Sequence, residues 1–206
     1  MSSPMRRNPA ALAVAALCAA ALVLAIQLFL AWHARHDPTA QLRGTPLASR
    51  KAPDVTLIDQ HGRVTPLVDR RFAATLIFFG YTHCKDACPL AMAKLGAAYR
   101  SLGEPSRVRV EMVTVDPARD DPATLGRYVA RYDPHFVGLT GTIAALKPIW
   151  SDFGVEVDVR TADVIHGESI YLLDRARHML ALYPPDVAPS DLAHDVRLLT
   201  SSANAN

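Results

Sequence analysis

The stretch "ATLIFFGY" (74–81) constrains this chain more than any other. It is a continuous apolar run, rich in branched and aromatic residues, as in a strand buried on both faces. A sheet covered on both faces needs helices, which makes the domain an α/β protein. The run leads directly into "THC", and then "CPLAMAKLGAAYRSLG" (88–103) spaces Leu90, Ala93, Leu95, Ala98, Tyr99 and Leu102 as one helix face. Gly103 is a natural stop for that helix. A buried strand therefore runs into a short loop carrying Cys84, and the first turn of the next helix carries Cys88.

The rest of the chain repeats this logic. Val55, Leu57 and the "HGR" turn at 61–63 predict a short hairpin ahead of the buried strand. "RVRVEMVTVD" (107–116) alternates Val108, Val110 and Met112 with polar residues, a strand pattern. "DDPATLGRYVARYD" (120–133) offers Asp120 or Asp121 as a cap, Pro122 in the first turn and an amphipathic helix. "FVGLTGT" (136–142) is extended, and a helix over 142–157 is open to interruption at Pro148. Residues 168–183 predict two strands around an Asp174–Arg177 turn, and 189–202 a closing helix capped by Ser190. This order predicts a thioredoxin-like three-layer α/β sandwich.

Cys84 and Cys88 are four residues apart, one helical turn, so both sulfurs can face the same side. At a helix N-terminus the free N–H groups favour a thiolate, which is both nucleophile and metal ligand. The residues alone leave open disulfide exchange, a two-sulfur bite for a soft ion, and a structural disulfide. A disulfide closing so small a loop restrains the unfolded chain little, and the strand-to-helix setting points to reactivity. Two sulfurs are an incomplete shell, which calls for a third donor. His83 adjoins Cys84, but its ring is free to point away; His166 stands in the loop before a predicted strand, and in a thioredoxin-like sheet the segment entering that strand packs beside the cysteine loop. Met92 shares a helix face with Cys88 and is expected in the core.

A second feature is the uncharged run from Pro9 to Trp32, preceded by Arg6 and Arg7. About 22 helical residues at ~1.5 Å each reach ~33 Å, a bilayer core. The run is longer than the ~7–15 apolar residues of a cleavable signal, and it ends in "FLAWHARHD", a poor cleavage site. The expectation is an N-terminal transmembrane helix over 1–34, a polar linker over 35–51 and the sandwich over 52–202. The arginines stay cytoplasmic, which places a single-pass protein in the bacterial inner membrane with its domain in the periplasm. Cys18 is an apolar filler of that helix. The net charge of +2 and the dispersed Lys and Arg of the domain exclude a nucleic-acid partner.

"FFGYTHCKDACPLAMAKL" resembles the signature of the Sco/SenC family, copper-handling proteins of cytochrome oxidase assembly. "TVDPARDDPATLGRYVARYDPHFVGLTGT" and the spacing in "HGESIYLLD" are similar to two further family blocks, in order, between about Ala52 and Tyr183. The resemblance implies copper as the bound ion, one per domain, held as Cu(I) or Cu(II) by Cys84, Cys88 and His166. It implies a metallochaperone that delivers copper to the subunit carrying the CuA site of cytochrome c oxidase, or maintains the redox state of that site's cysteines. The implied partners include other periplasmic copper chaperones or thioredoxin-like reductants. The alternative is a thiol–disulfide oxidoreductase that uses Cys84 and Cys88 as its redox-active catalytic pair. The chain departs from the family pattern at Lys85, where proline is usual, and at Gly167 and Glu168, where Ser or Thr is more common. Asp116, Pro117, Arg119 and Asp120 match a family "DPxRD" element, whose expected role is structural: a strand-end turn, an Asp–Arg pair and a helix cap.

Overall fold

The computed structural model describes residues 9–36, 38–103, 107–157 and 168–202. The chain divides into two compact units, Met1–Ala40 and Gln41–Asn206. In the first, helix α1 spans Pro9–His36. Among the described residues, its Leu12–Trp32 portion is the one helix long and apolar enough to cross a membrane.

The second unit is one eight-stranded sheet. Its strands are β1 (Thr45–Lys51), β2 (Thr56–Asp59), β3 (Val64–Pro66), β4 (Ala74–Gly80), β5 (Val108–Thr114), β6 (Val137–Thr140), β7 (Ile170–Asp174) and β8 (His178–Tyr183). The order across the sheet is β1-β8-β7-β4-β5-β6-β2-β3. β4, β5 and β6 run parallel and the remaining pairs antiparallel. Helices α2 (Ala87–Arg100), α3 (Pro122–Val129), α4 (Ile143–Asp152) and α5 (Pro189–Ser202) complete it.

Side-chain alternation along the central strands assigns the helices to two layers. A Cβ on Gly80 would meet Cys88 Sγ at 3.1 Å and Met112 Cε at 3.3 Å, so α2 lies on that face. Gly138, the register partner of Met112, faces Leu125 of α3 on the same side. α5 packs against α2. On the opposite face Phe79 stacks on Phe153, which follows α4, and on Tyr171. The result is the three-layer sandwich that the element order predicts.

β4 is buried at every position, as its apolar run requires. β5 departs from expectation. Its alternation suggests polar residues facing water, yet Arg109 is 7 % exposed and Glu111 is fully buried. The reason is position: β5 lies between β4 and β6 and both its faces are covered. Arg109 lies between two acids, paired with the Asp69 carboxylate at 3.3 Å and set against the Glu111 carboxyl at 2.5 Å. Burial pushes the Glu111 carboxyl up to about 8, against the opposing pull of Arg109. The folded chain thus holds a proton that the unfolded chain releases near 4.5. Stability should fall as pH rises between those values, by at most about 1.4 kcal/mol per unit. Glu111→Gln should flatten that slope in denaturant titrations at pH 5, 6, 7 and 8; an unchanged slope would refute the assignment.

Other differences are local. Thr45–Lys51, expected as the end of a linker, form β1 and pair with β8. The buried carboxylate of Asp195 on α5 fixes the entry to that strand by accepting the N–H groups of Arg43 and Gly44 and the Tyr183 hydroxyl. α5 starts at Pro189, one residue before the expected cap Ser190, since proline suits a first helical position. Asp121, not Asp120, caps α3 through the Thr124 N–H. Pro148 lies inside α4 without ending it.

Candidate metal centre

The cysteines sit where the sequence places them, between β4 and α2. Cys84 is half-buried in the loop and Cys88 is fully buried in the first turn of α2; both are free thiols. Asp86 precedes α2 but makes no side-chain cap. The Cys88 N–H instead donates to Cys84 Sγ at 3.3 Å, so a sulfur fills the capping role. That bond is equally available to a thiolate, free or metal-bound. Cys88 lies in the core above Gly80. Burial pushes its thiol well above the ordinary range, and the adjacent Cys84 adds to the push; a backbone hydrogen bond from Tyr81 opposes it. The pair is therefore unequal, with one accessible sulfur and one sheltered sulfur a helical turn behind it.

The loop is held from below by Asp120, one of the two expected cap candidates, in a structural role other than capping. Asp120 is fully buried and accepts the Thr82 N–H at 3.2 Å, the Thr82 hydroxyl at 2.6 Å and the Thr114 hydroxyl at 2.7 Å. Thr114 ends β5 and Thr82 opens the cysteine loop, so one carboxylate ties both together. Burial raises the Asp120 carboxyl above its ordinary value, although these hydrogen bonds pull it down. The expected Asp–Arg pair is Asp116–Arg119, and Arg119 also lies over the Tyr81 ring at 5.8 Å. The signal for Asp120 was its place in the "DPxRD" block, but the identity of its partner Thr82 depends on tertiary structure.

Of the candidate third donors, His166 lies outside the described residues. The chain that follows it is informative. β7 pairs antiparallel with β4, with Ile170 opposite Phe78, so β7 begins level with the end of β4 that leads into the cysteine loop. The charge of Glu168 acts on Cys88. His135, His178 and His194 each turn Nδ1 to a neighbouring aspartate, Asp133, Asp174 and Asp195. His83 turns Nδ1 to Thr82 Oγ1 at 3.1 Å. Met92 is core, as expected, and Lys85 is exposed. Among the described residues no three ligand-type side chains are gathered as a metal site.

The family model for SCO1/SenC matches residues 43–201. The chain belongs to the SCO1/SenC family. This SCO1/SenC chain is 36% identical over 129 residues to the mitochondrial protein SCO2 homolog of Bos taurus, covering 58% of itself and 48% of that protein. It spans about half the length of the first mammalian relatives it matches. An SCO2-like protein of Rickettsia felis is 29% identical over 147 residues, 68% of this chain and 72% of that one. Among solved structures, the copper-bound ScoI of Bradyrhizobium japonicum superposes with a TM-score of 0.64 at 30% identity, covering 72% of this chain and 98% of that one. Apo Sco1 from Thermus thermophilus gives 0.65 at 31% identity, covering 78% and 97%. The SCO1/SenC match contains both cysteines, the Asp120 latch and residue 166.

Proposed function

We propose that this chain is a membrane-anchored copper chaperone of cytochrome c oxidase assembly. It holds one copper through Cys84, Cys88 and His166 and passes it to the subunit carrying the CuA site, or keeps that site's cysteines reduced. The observation that carries the reading is the unequal sulfur pair. A half-buried, N–H-supported Cys84 and a fully buried Cys88 one turn away form a soft bite with one more accessible side. His166 precedes Glu168 by two residues in the sequence, and the charge of Glu168 acts on Cys88, which supports His166 as the third donor. The copper in the Bradyrhizobium relative supports the choice of ion. Helix α1 anchors the domain to the bacterial inner membrane, single-pass, with the site in the periplasm. Handover partners are other periplasmic copper chaperones, and reduction of the pair falls to thioredoxin-like reductants, because copper needs the dithiol.

The same inequality favours a second reading, thiol–disulfide exchange: Cys84 attacks a partner disulfide and Cys88 resolves the mixed disulfide. His166→Ala separates the two. For the chaperone, the reduced chain binds one copper with a thiolate-to-Cu(II) charge-transfer band, and the variant loses that band and at least about 10-fold in affinity. A variant with unchanged affinity and strong disulfide reductase activity would establish the oxidoreductase instead.

A further inference from the structure

We propose that His83 is a transit ligand, the group through which copper reaches and leaves the cysteine pair. The inference rests on the copper-binding reading of Cys84 and Cys88. Thr82 Oγ1 carries one proton and donates it to Asp120 Oδ1 at 2.6 Å. Toward His83 Nδ1, 3.1 Å away, that oxygen can only accept, so Nδ1 bears the ring proton. The neutral ring then has its bare lone pair on Nε2, the atom free to bind a metal. An imidazole whose second nitrogen is tied by hydrogen bonding toward a carboxylate is the usual arrangement around metal-binding histidines. Here the chain ends on Asp120, whose side chain is fully buried and held in turn by Thr114.

Two observations separate His83 from a resident ligand and from an idle surface histidine. Its side chain is 53 % exposed and is tied to Thr82, and it forms no three-ligand group with the sulfurs. It is also the only described histidine adjoining a cysteine, itself exposed where Cys84 is half-buried. Cys88 is fully buried, so a copper complex cannot meet both sulfurs at first contact. In the exchange, a Cu(I)–N bond to His83 Nε2 forms as one bond to the incoming complex breaks. Cu–S bonds to Cys84 and then Cys88 form as the Cu–N bond and the remaining donor bond break. Copper stays Cu(I), and the thiol protons go to water.

The test uses the full-length reduced chain in detergent micelles and copper(I) bicinchoninate as donor, with transfer followed by stopped-flow absorbance. His83→Gln should slow uptake, and release back to excess bicinchoninate, by about 10-fold each, the range in which ligand-shell changes act. Copper per chain and equilibrium affinity should remain those of the wild type. Thr82→Ser keeps the hydroxyl and should keep the wild-type rates. Wild-type rates in His83→Gln overturn the proposal. So does a 10-fold loss of equilibrium affinity, which would make His83 a resident ligand. A wild-type chain that takes up no copper overturns this inference together with the copper-site reading; copper uptake with unchanged variant rates overturns the role of His83 alone.

Discussion

Cys84→Ser and Cys88→Ser should each abolish one-to-one copper binding by the reduced chain. A hydroxyl is a hard, neutral donor where a soft thiolate is needed. Losing even an outer-shell partner costs 10–100-fold in metal affinity, so losing a sulfur ligand should cost more than about 100-fold. The two variants should differ in stability. Cys84 is half-buried in a loop, and serine there should change the unfolding free energy little. Cys88 is fully buried against Gly80. Serine at that position brings a hydroxyl into apolar surroundings, at about 1–3 kcal/mol. Copper titration and denaturant unfolding measure the two effects separately. Wild-type copper affinity in either variant would remove the cysteine pair from the site.

Asp120→Ala should be the most destabilising single change near the centre, by about 3–5 kcal/mol. The Thr82 N–H, the Thr82 hydroxyl and the Thr114 hydroxyl would lose their shared acceptor, and each stranded donor costs about 1–3 kcal/mol. Asp120→Asn keeps one acceptor oxygen and should lose roughly half as much. Because Thr82 opens the cysteine loop, the damage should also reach Cys84: iodoacetamide should alkylate it faster in Asp120→Ala than in the wild type, at a pH where both are folded. An Asp120→Ala chain within about 0.5 kcal/mol of the wild type would show that this latch carries no load.

The sandwich was legible in the sequence because its signals are local. The apolar run of β4, the helical spacing of α2 and the proline at the start of α3 each depend on neighbours a few residues away. The cysteine pair was legible for the same reason. What escaped was long-range. Arg109 and Glu111 look like solvent-facing residues until β5 is known to be covered on both faces, with Asp69 closing the network. Asp120 was indistinguishable from a helix cap until Thr82, 38 residues earlier, appeared beside it. Residues 45–51 have the polar, proline-containing composition of a linker, and only the free edge of β8 recruits them into the sheet.

That recruitment determines where the sheet-forming unit of the chain can be cut. Composition suggests Ala52 as the first residue of the domain, but a fragment starting there lacks β1. It would expose the backbone of Met179, Ala181 and Leu182, which pair with Arg50, Pro46 and Thr45 in the intact chain. A bare strand edge is a template for joining another copy. Asp195 would lose the Arg43 and Gly44 N–H groups at the same stroke. A fragment that begins ahead of Arg43 should stay monomeric, whereas one that begins at Ala52 should self-associate along β8, a contrast that light scattering at matched concentration would reveal.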